Sequence, residues 1–452
     1  MPFFFRTASS LVGIITVQLI IFAIEYCFFL IIEFPFKLIM DSVSVAHIQH
    51  DFTDCITDAI EKGNEREDFF INVDKSLNEV KEFRIGVYAD PEVRFDAGEG
   101  NSFARVSSSR YTAVLDGKTY NFETPVKNWM GENTISDNLN LTTVDFVDHP
   151  ERLFLLGDTN GTLRVLDSHS NLRREFPEAH ASEITRTKFF PSGVVILSAS
   201  TDMRIKLWSI EDGSNPRTFI GHTAKVTDLA MIGRGRNFLS SSADGTIRLW
   251  ECGSGQNIHT FTRRENRSDG VTSLALVSGA GTVDYSGHND LEFETECKIG
   301  VAAHESGVLT VHDIYTKEEQ LQLPSEFMSR CNSISPNGTD TTYIYAGYET
   351  GHIATWDLRS PALPVSKLSI NEGLPINHIF HNNGNLYVSS GPDTSLRLPV
   401  ASEPSNIASE LPTFLVSNDC QVAQYTSVKT EQGTSRIVAV GNWGLCAEYN
   451  ES

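Results

Sequence analysis

The chain has 452 residues, 40% hydrophobic and 21% charged, which fits a globular protein with a large core and excludes a disordered or fibrous class. Its 36 Lys and Arg against 58 Asp and Glu leave a formal charge of −22, so much of the surface repels phosphate backbones and nucleic acid is not an expected partner. Seven Cys, at positions 27, 55, 252, 297, 331, 420 and 446, are odd in number and lack the short spacings of zinc knuckles or redox motifs. No metal site is therefore predicted, and a reducing compartment is expected.

Residues 1–40 differ from the rest. The run Leu11–Ile32 is apolar apart from Thr16, Gln18 and Glu25, close to the roughly 20 residues that span a bilayer. One reading is a signal anchor that ties the protein to a membrane through residues 11–32. The preferred reading is a non-functional extension from a mis-called start. These residues hold 8 of the 27 Phe and 8 Ile, as translated AT-rich non-coding DNA would, and Met40 offers an in-frame start. Only Arg6 precedes the run and no small-residue cleavage site closes it.

Residues 41–125 are expected to form a small β-rich domain. "VSVAHIQHDF", "DFFINVDKS" and "VKEFRIGVY" read as short strands, and the acidic stretch Glu61–Asp68 as an exposed loop. "RYTAVLDGKTYNFET", Arg110–Thr124, reads as a hairpin.

Residues 126–452 carry an internal repeat. "TDMRIKLWSIEDGS" at Thr201 matches "ADGTIRLWECGSG" at Ala243, and the equivalent strand ends fall at Leu166, Trp208, Trp250, His312, Trp356, Pro399 and Tyr449. The steps are 42, 42, 62, 44, 43 and 50 residues; the long one holds a polar insertion, Val277–Cys297, read as an extended loop. A period of 40–45 with alternating strands and a turn before each repeat end predicts four-stranded propeller blades. Seven repeats predict seven blades. In the third, strands are expected at Val226–Ile232, Arg236–Ser242, Thr246–Glu251 and Ile258–Thr262. The last repeat ends after three strands, so its fourth must come from upstream, with the Arg110–Thr124 hairpin as the candidate.

Two repeats carry matching polar residues: His180, Ser198, Asp202 and Trp208, and His222, Ser240, Asp244 and Trp250, with 28 residues from His to Trp in both. Such groups can satisfy one another in a partly buried chain, whereas one left alone costs roughly 1–3 kcal/mol. They recur per blade without an exposed nucleophile, which argues against catalysis. The His residues also lack further ligands at metal spacing. No catalytic residue, cofactor or small-molecule substrate is predicted. Other repeats depart from the pattern, with His312 in place of Trp, Thr350 in place of Asp and Pro399 at a strand end. Those blades are expected to be held mainly by apolar packing.

These residues resemble the WD-repeat family, which implies an all-β fold: a seven-bladed β-propeller, here with a small β-rich N-terminal domain. "FFINVD", "DGSNPRTFIGH", "YAGYETG", "WDLRSP", "INEGLPIN" and "FLVSND" further resemble the fungal WD-repeat assembly chaperones of the proteasome regulatory particle, relatives of the animal proteasomal ATPase-associated factor. The resemblance runs from about Ser42 to the C-terminus. It implies a non-enzymatic cytoplasmic or nuclear protein that grips the C-terminal domain of a proteasome base ATPase during assembly, alongside other base subunits or assembly chaperones. On a WD-type blade one rim collects the loops that would bear Glu183, Asp269, Glu305, Glu349, Glu372, Asp393 and Asp419, interrupted by Lys225 and Arg330. A basic partner surface would be steered toward it. Tyr348 and Leu374 are the apolar rim candidates. An alternative rests on Trp356, Asp357, Leu358 and Arg359, which match the WDxR pattern of substrate receptors for cullin-type ubiquitin ligases, where the Arg contacts an adaptor.

Overall fold

The computed structural model describes residues 18–24, 27–33, 41–63, 66–76, 79–89, 92–129, 138–279, 290–400, 412–429 and 434–451. Two units separate, Met1–Asp41 and Ser42–Ser452. In the first, Gln18–Ile24 and Cys27–Glu33 are antiparallel strands, paired from Gln18 with Glu33 to Ile24 with Cys27. Residues 11–17, 25 and 26 of the anchor candidate lie outside the described residues. Among those described, no helix is long and apolar enough to cross a membrane.

In the second unit seven antiparallel sheets form a ring, with first strands at Leu141–Val147, Ile184–Phe189, Val226–Ile232, Val271–Ser278, Cys331–Pro336, Ile376–Asn382 and Val422–Lys429. Each first strand packs beside the next, and the seventh beside the first. Blade 3 shows why the sequence folds this way. In Asn237–Ser242 both faces are buried, so the strand is a continuous apolar and small-polar run, whereas Asn257–Thr262 at the outer edge is half exposed. A register shift recurs near the start of all seven first strands, as between Val226 and Asp228. The residue left out of register can then reach the next blade: Thr227 Oγ1 donates to the Val271 carbonyl at 2.9 Å and Asn332 Nδ2 to the Ile376 carbonyl at 3.1 Å.

The ring closes differently from the sequence expectation. The fourth strand of blade 7 is Lys127–Asn128, paired with Glu448 and Ala447. The flanking Val126 and Trp129 amides donate to Glu448 and Cys446 at 2.7 and 2.9 Å. The hairpin of Arg110–Leu115 and Lys118–Glu123 does form, but its second strand runs parallel to Thr413–Leu415 of blade 6. Its inward face is apolar, and Phe122 meets the Phe414 ring at 5.8 Å. Blade 6 is thereby extended to a seven-stranded sheet that ends at Ser102–Arg105.

The N-terminal region holds a four-stranded sheet with strands at Ala46–Ile48, Glu67–Ser76, Glu79–Ala89 and Val93–Asp96. A helix, Phe52–Lys62, occupies sequence expected to be strand and loop, so the acidic stretch begins on its last turn. Phe52, Ile56 and Ala59 recur at helical spacing and are buried against this sheet. One hydrophobic cluster joins Phe52, Phe69 and Phe103 to Leu386, Leu396 and Phe414 of blade 6, so the region and the propeller share a core. Cys55, Cys252, Cys297, Cys331, Cys420 and Cys446 form no disulfide.

Candidate functional site

Blades 2 and 3 gather their polar residues into connected chains. His222 sits in the loop entering blade 3, Ser240 on the second strand, Asp244 in the following turn and Trp250 on the third strand. Trp250 Nε1 donates to Ser240 Oγ at 2.8 Å; His222 Nε2 lies 2.7 Å from the same oxygen, and its Nδ1 lies 2.9 Å from Asp244. With the ring proton placed on Nδ1, the serine hydroxyl donates to Nε2 and the carboxylate accepts from the ring, so every member is satisfied. In blade 2, Trp208 Nε1 donates to Ser198 at 3.0 Å, and His180 reaches Ser198 at 2.7 Å and Asp202 at 3.0 Å.

Burial alone would raise the Asp202 carboxyl, but hydrogen bonds from His180 and from the Ala181 and Arg204 amides outweigh it and hold the group at about 2. Asp244 is likewise held well below the usual carboxylate range by His222, Thr246 and the Thr223 amide, against its own burial. Because folding favours the ionised form, this stabilisation is present above the unfolded value of about 3.9 and is lost as pH falls through the folded value. The stability gap between the parent chain and the double variant Asp202→Asn, Asp244→Asn should therefore shrink as pH drops from neutrality to about 3. Denaturant midpoints measure this; a gap that is the same at both pH values rejects the assignment.

Blade 4 departs from the apolar-packing expectation. His304 Nδ1 contacts the Asp269 carbonyl at 3.1 Å, and Thr310 Oγ1 bridges His304 and His312, both at 2.9 Å. A template that looked for Trp at the strand end passed over this chain; the signal was a His two residues after a Thr on the third strand.

The upper rim carries the loops entering each first strand and the turns between second and third strands. Glu305, Glu349 and Glu372 are exposed there and Glu183 half-exposed, with no ion pair among the described residues. The other three candidates differ. Asp269 is 6% exposed and committed to Arg263 Nη1 at 2.6 Å and to the Ser306 amide and hydroxyl. Asp393 and Asp419 face the N-terminal region: Asp393 lies 3.7 Å from His47, and Asp419 lies 2.9 Å from His50. These histidines, with Asp74 and the two rim carboxylates, line a cleft of about 590 Å³. Tyr348 is fully buried with its hydroxyl 3.3 Å from Trp356 Nε1, whereas Leu374 is exposed. Lys225 is exposed and Arg330 half-buried.

On the opposite rim the Arg359 guanidinium binds Asp357 of its own turn at 2.8 and 2.9 Å and the Tyr343 hydroxyl at 3.0 Å. Those contacts tie down the strand turn. Among the described residues no group of three or more His, Cys, Asp or Glu could hold a metal ion.

Residues 170–209 and 213–251, each running from the outer strand of one blade through the first three strands of the next (blades 1 to 2 and 2 to 3), match the family described as WD domain, G-beta repeat. Over 420 residues the chain is 49% identical to the 26S proteasome regulatory subunit RPN14 of Saccharomyces cerevisiae, covering 91% of this chain and 99% of that protein. The chain belongs to the RPN14 family of WD-repeat proteins. A shorter match, 28% over 120 residues, covers 26% of this chain and 20% of the polyadenylation factor subunit 2 of Candida albicans. Among solved structures, the WD40 repeats of RRP9 and U3-55K both superpose with a TM-score of 0.57 at 14% identity, covering 72% of this chain and 97% and 98% of theirs. Those two likenesses concern the propeller fold. RPN14-family membership adds a proteasome-associated protein.

Proposed function

We propose that the chain is a non-enzymatic assembly chaperone that binds the C-terminal domain of a proteasome base ATPase subunit while the regulatory particle is built. The observation that carries this reading is the identity to a proteasome regulatory subunit across 99% of that subunit's length. The propeller supports it by offering a rigid frame with acidic residues on one rim and a set of buried polar chains that serve the fold. A protein with this role works in the cytoplasm, the nucleus or both, with base subunits and other assembly chaperones as its partners.

The exposed rim acids account for encounter. Charges held in solvent-facing loops raise the association rate with an oppositely charged surface and contribute little to folding. Reversing Glu183, Glu349 and Glu372 together to Lys should slow association with the ATPase subunit roughly tenfold or more at low salt and flatten its salt dependence. Thermal stability should stay nearly unchanged. Stopped-flow or surface-binding kinetics read the result, and an unaltered association rate would remove the electrostatic role. Pull-down of ATPase subunits against a cullin adaptor tests the function as a whole: capture of the adaptor with no ATPase subunit rejects it.

A further inference from the structure

The upper rim also displays large apolar side chains on backbone that disfavours them. Trp443, in the turn between the second and third strands of blade 7, has φ +53° and is 59% exposed. Met328, in the loop entering blade 5, has φ +48° and is 93% exposed. Met203 follows Asp202 in blade 2 with φ +67° and is 44% exposed. Its counterpart in blade 3 is Gly245 at φ +83°, where an added Cβ would come within 2.4 Å of the Arg267 carbonyl oxygen. Glycine fills the matching turn in blades 1, 4 and 5 too, as Gly161, Gly307 and Gly351. Left-handed backbone is uncommon for any residue with a Cβ and an outlier for bulky ones.

Their burial is partial at best, least for Met328 and greatest for Met203. Around Trp443 the backbone is fixed from both sides. Its own amide donates to Asn140 Oδ1 at 3.2 Å, and the Gln421 amide donates to Asn442 Oδ1 at 2.7 Å. The neighbours thus set the conformation, and glycine or asparagine would meet it more easily than tryptophan. The indole makes no ring contact among the described residues and faces solvent. Large apolar residues on left-handed backbone that stay this exposed point to a role outside folding.

The same loops bear the rim acids. The Thr201 amide, two residues from Met203, donates to the Glu183 carbonyl, and the Glu349 amide donates to the carbonyl of Arg330, two residues from Met328. In two separate places, then, a loop bearing an exposed apolar residue is hydrogen-bonded through its backbone to one bearing a rim acid, half-exposed at Glu183 and exposed at Glu349. That pairing fits a partner whose surface is basic but contains apolar hollows, since buried aromatic and thioether anchors supply most of an interface's hold while rim charges set its encounter rate.

We propose that Trp443, assisted by Met203 and Met328, is the apolar anchor by which the upper rim holds its basic protein partner. This rests on the reading above that the partner is a base ATPase subunit. The test uses the full chain and purified full-length base ATPase subunits. Trp443→Gly, Trp443→Asn, Met203→Gly and Met328→Gly should leave the unfolding midpoint unchanged or raise it, because each residue suits left-handed backbone better. Both Trp443 variants should nonetheless increase the dissociation rate at least tenfold, and the Met variants a few-fold, with the association rate unchanged. Parent-like dissociation in both Trp443 variants, while the Glu→Lys variant still associates slowly, overturns the anchor and leaves the partner assignment standing. A parent chain that binds none of the ATPase subunits overturns both.

Discussion

Replacing Trp250 by Ala is expected to destabilise the propeller by about 3–5 kcal/mol, the range of large aromatic truncations in cores. The side chain is 2% exposed and lies between the Phe219 ring, at 5.6 Å, and the Phe238 ring, at 6.4 Å. Its removal opens a cavity between blades 2 and 3 and takes from Ser240 the donor that completes the chain to His222 and Asp244. Both losses act at one site. Trp208→Ala supplies the comparison, since Trp208 makes the same hydrogen bond but is only half-buried, so its loss should be clearly smaller. Urea midpoints at unchanged m-value measure the two. A Trp250→Ala cost below about 1 kcal/mol, or one equal to that of Trp208→Ala, would show that these chains do not secure the blades.

Glu123→Ala should cost a similar amount, about 3–5 kcal/mol, for a different reason. Glu123 ends the strand that joins the N-terminal hairpin to blade 6 and is fully buried, with Arg397 at 3.1 Å and Arg110 at 3.4 Å. Burial pushes its carboxyl up, and the two guanidinium groups oppose that shift. Arg397 is itself 7% exposed, so removing the carboxylate strands a buried cation that among the described residues keeps only neutral partners, such as the Asn450 carbonyl at 3.1 Å and the Tyr387 hydroxyl. Replacing both partners with Leu should recover most of the loss, because two apolar groups of similar size need no partner there. Additive losses in the Glu123, Arg397 double-mutant cycle would separate the pair.

The repeats were legible because they state their own geometry several times. The four strands expected in blade 3 match those observed to within one residue, since alternation and a turn with Asp before Gly act locally. Closure was not legible for a physical reason. Lys127–Asn128 is a two-residue strand whose partner lies more than 300 positions away, and its one cue was the neighbouring Trp129, which is completely buried. The hairpin's own turn could be read, but its parallel neighbour at Thr413–Leu415 could not. The helix had a signal in the spacing of Phe52, Ile56 and Ala59 that the reading, which sought short strands divided by a loop, did not take up. At the rim the sequence identified loops that bear acids but not which acids other elements cover. Asp269 is taken by Arg263 at the start of its own loop, and Asp393 and Asp419 by histidines from the far end of the chain.

Closure by Lys127–Asn128 has a temporal meaning for a chain made from its N-terminus. The strand leaves the ribosome early, yet its mate, Cys446–Asn450, is added about 320 residues later. At roughly 5–20 residues per second this is a wait on the order of 15–60 s. Until blade 6 is made, the N-terminal sheet also lacks Leu386, Leu396 and Phe414, the blade 6 share of its core. Its apolar face and an unpaired sheet edge stay open to other chains. The ring becomes a closed object only once Cys446–Asn450 has been made, so a nascent chain stalled within blade 7 is a substrate for holdase chaperones and quality control rather than a shorter working propeller.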